Sequence, residues 1–135
     1  MAAESRFPEW YRQTAAALGW RRVDNLDVAL AAWSDFIDEC TRGYTFGLEE
    51  YTNDLSVRDA LQLVFAEEAD RLAGAEDVRR RVRELDGRFR ALLQPGVVAE
   101  PGESRWWRAG VLRRGGPTLA SDLEEEYGIA MERQQ

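Results

Sequence analysis

Two pairs of acidic residues have the spacing that could hold a metal ion. Asp35 and Asp38 are three residues apart, and so are Glu67 and Asp70, so each pair would lie on one face of a helix. Two such pairs on facing helices could bind Mg²⁺, which takes oxygen ligands, and support hydrolysis of a nucleotide. The same pairs also fit solvated helix faces, because both contain residues that point away from the apolar stripes.

The remaining stock of reactive side chains is small. The chain has no histidine, its 18 basic residues are all arginine, and it has one cysteine, Cys40. Histidine is the usual general base and zinc ligand, and a phosphate-binding loop needs a lysine. Cys40 lies on an apolar stripe, which predicts a core position. We therefore expect no catalytic residues and no cofactor, and we favour a non-enzymatic protein over a hydrolase.

One short stretch mixes aromatic, amide and charged side chains densely. It contains Tyr51, Asn53, Asp54 and Arg58. Asp54 and Arg58 are four residues apart and could pair along a helix, while Asn53 could cap or turn the chain. The group either fixes the entry to the next helix or contacts a partner. Its candidate partner-binding residues are Tyr51, Asp54 and Arg58.

The second unusual feature is a pair of tryptophans between arginines. Trp106 and Trp107 stand between Arg105 and Arg108. Adjacent indoles in regular structure cannot both face one core, so we expect one to be covered and the other to stay partly exposed. This segment either packs on its own fold, anchors a partner protein, or stacks on single-stranded nucleic acid. Trp106, Trp107 and Arg108 are therefore also candidate partner-binding residues.

Apolar residues recur at helical spacing along most of the chain. The sequence predicts four main helices, which we place at 8–21, 26–42, 57–72 and 77–93. A loop with prolines and glycines follows at 94–104, and an arm at 105–135 ends in a short helix from Thr118 to Tyr127. The expected fold is one all-α domain, a bundle over 8–93 with a C-terminal arm.

Glu68 conflicts with this pattern. In a continuous helix over 57–72 it falls in the middle of the apolar face. Three interpretations stay open. Glu68 reaches solvent near the end of its helix, or it is buried and paired with Arg81 or Arg88, or it is a functional acid with a raised pKa.

Part of the chain, roughly residues 26–93, resembles small uncharacterised helical proteins of GC-rich bacteria. The resemblance rests on Gly43-Tyr44, Tyr51-x-Asn53-Asp54-Leu55-x-x-Arg58 and Leu85-Asp86-x-Arg88-Phe89. It implies a helical fold and no assigned activity. The acidic pairs separately resemble those of all-helical nucleotide pyrophosphohydrolases, although Asp35 and Asp38 make the first pair aspartate-only.

Charge and hydropathy limit the functions that the sequence allows. The net charge is −7, and residues 44–77 are strongly acidic. Phosphate repels such a chain, so nucleic acid is a disfavoured partner. No apolar run is long enough to span a bilayer and none resembles a signal peptide, so we expect a cytoplasmic protein.

We predict a protein-interaction domain with another protein as partner, a basic one by charge, as in acidic inhibitors of the immunity or antitoxin type. The alternative is the Mg²⁺-dependent hydrolase, and the sequence does not indicate an oligomeric state.

Overall fold

The computed structural model describes the backbone of residues 2–134 and the side chains of residues 6–134. Most of this part of the chain is helical, which confirms the predicted class. The helices are α1 (Ala2–Ala17), α2 (Leu26–Arg42), α3 (Leu48–Asp54), α4 (Ser56–Leu61), α5 (Ala75–Arg90), α6 (Trp106–Ala109) and α7 (Pro117–Tyr127). Short 3-10 helices span Arg21–Val23, Gln62–Phe65 and Glu67–Ala69. Two short strands, β1 (Arg114–Gly115) and β2 (Glu132–Arg133), pair in parallel.

Most predicted helices form close to their expected places. α2 begins where Asn25 caps it, with the Asn25 Oδ1 accepting from the Val28 amide at 3.1 Å. α5 begins two residues before its predicted start, and α7 one residue before. The predicted start of the first helix at Pro8 is wrong, because α1 begins at Ala2 and contains Pro8. No helix among residues 2–134 combines the length and apolar character needed to cross a bilayer.

The predicted continuous helix over 57–72 is wrong. α4 ends at Leu61, and Ala66 adopts an extended conformation with φ −64° and ψ 143°, which breaks the helical path. Arg79 stabilises the break, because its guanidinium donates to the Val64 carbonyl at 2.6 Å and to the Ala66 carbonyl at 3.1 Å. These carbonyls are among those that a continuing helix would have used.

The break also resolves the conflict at Glu68. Beyond Ala66 the angular relation of 100° per residue no longer holds, so Glu68 does not lie on the apolar face of α4. Glu68 is exposed. The interpretation that it reaches solvent is confirmed, and a buried pair with Arg81 or Arg88 is wrong.

Two compact units make up the fold. Unit 1 contains the residues up to Ser34 together with Ser56–Asp86, and unit 2 contains Asp35–Leu55 and the residues from Gly87 onward. The core of unit 1 has fully buried side chains from α1, α2, α4, α5 and the 3-10 helix Gln62–Phe65. They include Phe7, Tyr11, Ala15, Ala29, Trp33, Ala60, Leu61, Val64 and Val82.

A buried ion pair lies in unit 1. Arg58 is 2% exposed and Asp86 is 7% exposed. Arg58 donates to both carboxylate oxygens of Asp86, Nε to Oδ1 and Nη2 to Oδ2, each at 2.8 Å. Arg58 Nη1 donates to Gln62 Oε1 at 2.9 Å, and the Trp33 indole donates to Asp86 Oδ1 at 3.2 Å. The pair therefore joins α2, α4 and α5 through directed bonds.

An aromatic cluster forms much of the core of unit 2. The Phe36 ring lies 5.7 Å from Tyr44, 5.6 Å from Tyr51 and 5.9 Å from Phe89, measured between centroids. Residues of the predicted arm belong to the same unit and contribute buried side chains to it. They are Trp107, Val111, Leu112, Leu119, Ala120, Leu123 and Met131.

Backbone hydrogen bonds hold this last part of the chain in unit 2. The Gln94 amide donates to the Val111 carbonyl at 2.7 Å, and the Arg113 amide donates to the Leu92 carbonyl at 2.8 Å. The Gly116 amide donates to the Tyr44 carbonyl at 2.9 Å. A side chain at Gly116 would place its Cβ 2.7 Å from that carbonyl oxygen. Gly116 thus permits a close approach between the start of α7 and the chain after α2.

The buried pair gives a stability prediction. Arg58→Ala should lower the free energy of unfolding by about 3–5 kcal/mol, because it leaves the Asp86 carboxylate buried without its main partner. The double change Arg58→Met with Asp86→Leu should recover part of this loss. Chemical denaturation measures both changes.

The matched control is Arg80→Ala. Arg80 pairs with Asp77 at 3.0 Å, but its side chain is 66% exposed. Its removal should cost less than about 1 kcal/mol. Equal effects of Arg58→Ala and Arg80→Ala would show that the buried pair contributes no more than a surface pair.

Candidate functional site

A pocket in unit 2 brings together two of the predicted partner-binding residues, Tyr51 and Arg108. Its volume is about 260 Å³. We call it the Tyr51 pocket. Apolar side chains from α3 and α7 line one part of it, and polar side chains from the loop after α5 line another. The lining includes Leu48, Tyr51, Leu55, Glu100, Glu103, Arg105, Arg108, Leu123 and Tyr127.

The charged groups of the Tyr51 pocket already have partners within the protein. Arg105 donates to both oxygens of Glu103, at 2.8 and 2.9 Å. These bonds from Arg105 lower the pKa of Glu103 to about 2. Arg108 donates to the Thr52 carbonyl at 3.2 Å, and the Tyr127 hydroxyl donates to Glu100 at 2.9 Å. Such a pocket can receive a side chain with apolar and polar parts.

Next to the Tyr51 pocket, Tyr51 also belongs to a buried polar cluster. The residue is 6% exposed, and its hydroxyl has no hydrogen-bond partner among the described side chains and backbone. The neighbouring Tyr44 hydroxyl donates to Asp54 Oδ2 at 2.6 Å. Burial raises the pKa of Tyr51 well above its usual value, and Cys40 and Tyr44 raise it further.

Cys40 completes this cluster and is 4% exposed. Burial raises the pKa of the Cys40 thiol far above its usual value, and the charges of Glu39 and Asp54 raise it further. A thiol held in its protonated form is a poor nucleophile. The predicted core position of Cys40 is confirmed.

The two tryptophans differ in exposure, in agreement with the expectation. Trp107 is 4% exposed, whereas Trp106 is partly exposed. The indoles meet edge to face, with centroids 5.8 Å apart. Trp106 lies 6.2 Å from Phe89, and the Arg90 guanidinium carbon lies 3.9 Å from its ring centroid. Arg90 therefore covers one face of the more exposed indole with a cation–π contact.

The six predicted partner-binding residues are not all accessible. Tyr51, Asp54, Trp106, Trp107 and Arg108 belong to unit 2, and Arg58 belongs to unit 1. Arg58 binds Asp86 inside the fold, a partner that sequence analysis did not identify. Tyr51 and Trp107 are buried as well. Asp54, Trp106 and Arg108 are half-buried.

The acidic pairs of the hydrolase hypothesis are partly occupied by arginine. Arg88 binds Asp38, and Arg79 binds Asp70 at 2.7 Å. Asp35 and Glu67 are exposed. Within the described part of the chain, no group of three or more His, Cys, Asp or Glu side chains could hold a metal ion.

An acidic surface was not singled out by sequence analysis. The Asp122 carboxylate of α7 accepts from the Leu48 amide at 2.9 Å and so caps the start of α3. This contact sets Glu49 and Glu50, both exposed, against the middle of α7. Glu125 and Glu126 follow Asp122 by three and four residues, so they share its face of α7 and are also exposed.

An exposed aromatic ring lies just before α3, the helix that carries Glu49 and Glu50. Phe46 is 54% exposed, and its ring lies 5.8 Å from the anchored Tyr44 ring. It stands two residues before α3 begins. We call the set Phe46, Glu49, Glu50, Asp122, Glu125 and Glu126 the α3–α7 surface. A signal of it in the sequence is the acidic stretch 44–77, which contains Glu49 and Glu50.

Comparisons of the chain with protein-family models, with curated proteins and with solved structures find no match. A functional proposal therefore depends on the residues and their geometry.

The two neighbouring tyrosines give opposite predictions. Tyr51→Phe removes a hydroxyl that has no partner, so stability should be unchanged or should rise by up to about 1 kcal/mol. Tyr44→Phe removes the donor to Asp54 and should cost about 1–3 kcal/mol. Equilibrium denaturation of the two variants makes the comparison. A clear loss of stability in Tyr51→Phe would mean that its hydroxyl is bonded in solution.

The tyrosines also predict how stability depends on pH. Burial raises the pKa of Tyr11, Tyr44, Tyr51 and Tyr127, the four tyrosines of the chain, above the usual value of 10.0. Because the folded pKa exceeds the unfolded one, this contribution is complete below about pH 10 and is lost as the pH rises further. Tyrosinate absorbance should therefore appear together with the loss of helical circular dichroism.

The urea-unfolded chain is the control, and its tyrosines should titrate near pH 10. Titration of all four tyrosines near that pH without loss of helix would contradict the prediction.

Proposed function

We propose that this chain is a non-enzymatic protein-interaction domain whose partner is a basic protein. The observation that supports it is the α3–α7 surface, where four exposed glutamates and Asp122 lie on two neighbouring helices and an exposed phenylalanine lies just before one of them. A specific form of the proposal is an acidic inhibitor of the immunity or antitoxin type, in which the domain covers the basic surface of its target.

The charge of the α3–α7 surface favours a basic partner. The ion pairs of unit 2 use other carboxylates, namely Asp38 and Glu103. In the described part of unit 2, none of Glu49, Glu50, Glu125 and Glu126 belongs to these pairs. A basic partner would pair with them and would be steered towards the surface before contact.

Phe46 supplies the apolar part of such an interface. Specific interfaces depend on a few apolar or aromatic anchors, and surrounding charges set orientation and rate. With 54% exposure, Phe46 has ring area to bury on binding. Leu48 and Tyr51 of the same segment line the Tyr51 pocket, where a partner side chain could enter beside Arg108.

The sequence-predicted residues take different roles in this proposal. Trp106 and Arg108 remain candidate contact residues because they are accessible. Tyr51 and Asp54 support the turn that carries Phe46, since Tyr51 packs on Tyr44 and Asp54 binds the Tyr44 hydroxyl. Trp107 is buried in unit 2 and is not among the contact residues of this proposal. The hydrolase alternative gains no support, because arginine already binds one member of each acidic pair.

The proposal predicts that charge on the α3–α7 surface controls binding. Replacing Glu49, Glu50, Glu125 and Glu126 together by Gln should weaken binding of the recovered partner by about tenfold or more and reduce its salt dependence. Phe46→Ala should also weaken binding, but it should leave the salt dependence intact. The measurement is affinity capture from the source cells, followed by titration of the purified partner at several salt concentrations.

A matched control replaces four exposed glutamates of unit 1 by Gln, namely Glu9, Glu67, Glu68 and Glu84. This variant changes the net charge equally and should keep full affinity. Equal weakening in both quadruple variants, or an acidic partner, would overturn the proposal. If the partner is an enzyme, loss of its activity on binding identifies the inhibitor form.

A further inference from the structure

A second, larger cavity in unit 2 has the opposite electrostatic character. Its volume is about 520 Å³. Arginines line it at two places, and small or hydroxyl-bearing residues form the rest of its wall. These lining residues include Arg42, Gly43, Thr45, Gly116, Thr118 and Arg133. We call it the arginine pocket.

Separate elements bring the two arginines to this cavity. Arg42 is the last residue of α2, and Arg133 is the last residue of β2. β2 pairs with β1, and the Gln134 amide donates to the Gly115 carbonyl at 2.7 Å. The Arg133 guanidinium donates to the Pro117 carbonyl and to the Ser121 hydroxyl, each at 3.3 Å. These two contacts hold Arg133 at the rim, and neither of them involves a carboxylate.

Two glycines keep part of the wall free of side chains. Gly43 has a φ of 107°, a conformation that favours glycine, and a Cβ there would lie 3.0 Å from the Gln134 side chain. Gly116 lies against the Tyr44 carbonyl, as described above. Backbone and the hydroxyl-bearing residues Thr45 and Thr118 therefore form the rest of the wall.

The charge of the arginine pocket differs in sign from that of the chain. No carboxylate is among the residues that line it, whereas the net charge of the chain is −7. Arginine binds phosphate or carboxylate through paired hydrogen bonds, and both Arg42 and Arg133 are exposed, so an anion from solvent can reach them. Threonine hydroxyls can donate to the same oxygens.

We propose that the arginine pocket binds the anionic group, phosphate or carboxylate, of a small molecule. Arg42 and Arg133 would hold the anionic oxygens, and Thr45 and Thr118 would donate further hydrogen bonds. The volume leaves room for an organic group attached to the anion. This site shares no residue with the α3–α7 surface and has the opposite charge. Its test is therefore independent of the proposed protein partner.

The experiment uses the full chain and three small probes of similar size: phenyl phosphate, benzoate and benzylamine. Calorimetric titration should show binding of phenyl phosphate or benzoate and none of the cationic benzylamine. Preference between the two anions identifies phosphate or carboxylate as the group recognised. No binding of either anion, or equal binding of benzylamine, would overturn the proposal.

Variants locate the binding. Arg42→Gln should weaken binding of the preferred anion by about tenfold or more, the loss expected for one charge-assisted contact. Arg133→Gln should do the same. Because Arg133 also bonds Pro117 and Ser121, its variant is compared after its melting temperature has been measured.

Arg114→Gln is the control, since Arg114 is exposed on β1 and does not line the pocket. It removes the same charge and should leave anion binding unchanged. If Arg42→Gln binds the anion as tightly as Arg114→Gln does, binding occurs elsewhere and the assignment of this pocket is wrong.

Discussion

The buried pair of Arg58 and Asp86 is the constraint on which unit 1 depends. Two charges removed from water are unfavourable unless their hydrogen-bonding groups are satisfied. Here Asp86 receives both guanidinium bonds and the Trp33 indole, and Gln62 takes a further guanidinium hydrogen. Apolar packing alone would tolerate small shifts of α2, α4 and α5. The directed bonds of a buried charge tolerate much less, so the pair fixes how these three segments meet.

Unit 2 depends on a different kind of contact, in which parts of the chain distant in sequence satisfy each other's backbone groups. α3 begins after Gly47, which has no side chain to cap it, and Asp122 from α7 supplies the missing acceptor. A Cβ at Gly47 would lie 2.7 Å from that carboxylate oxygen, so glycine there permits the contact. The cap that stabilises α3 is also what sets its glutamates beside those of α7. The acidic surface is therefore a consequence of how the helix end is satisfied.

Sequence periodicity predicted the long amphipathic helices but little of the remaining structure. α2 and α5 carry apolar residues at steps of three and four over four turns, so their existence and approximate ends were predictable. The stretch after Leu61 keeps the same spacing through Val64, yet it tightens into a 3-10 helix and breaks at Ala66. Local spacing cannot reveal that break, because the residue that stabilises it is distant in sequence. Arg79, thirteen residues after Ala66, donates to the Ala66 carbonyl.

The same limit applies to the candidate sites. The Trp106–Trp107 difference was predictable, since it follows from the geometry of adjacent residues. The partner of Arg58 was not, because Asp86 lies 28 residues away and Asp54 offered a plausible local alternative. β1 and β2 have two residues each, too few for an alternating pattern to be detected. The Tyr51 pocket and the arginine pocket are each lined by segments far apart in the sequence, so no local motif predicts them.

The turn from Gly43 to Gly47 links the two proposed sites. Gly43 and Thr45 line the arginine pocket, whereas Phe46 belongs to the α3–α7 surface. Tyr44 holds the turn in place, because its hydroxyl binds Asp54 and its carbonyl accepts from the Gly116 amide. Because Tyr44 is held through both its side chain and its backbone, Thr45 stays at the arginine pocket and Phe46 stays at the α3–α7 surface.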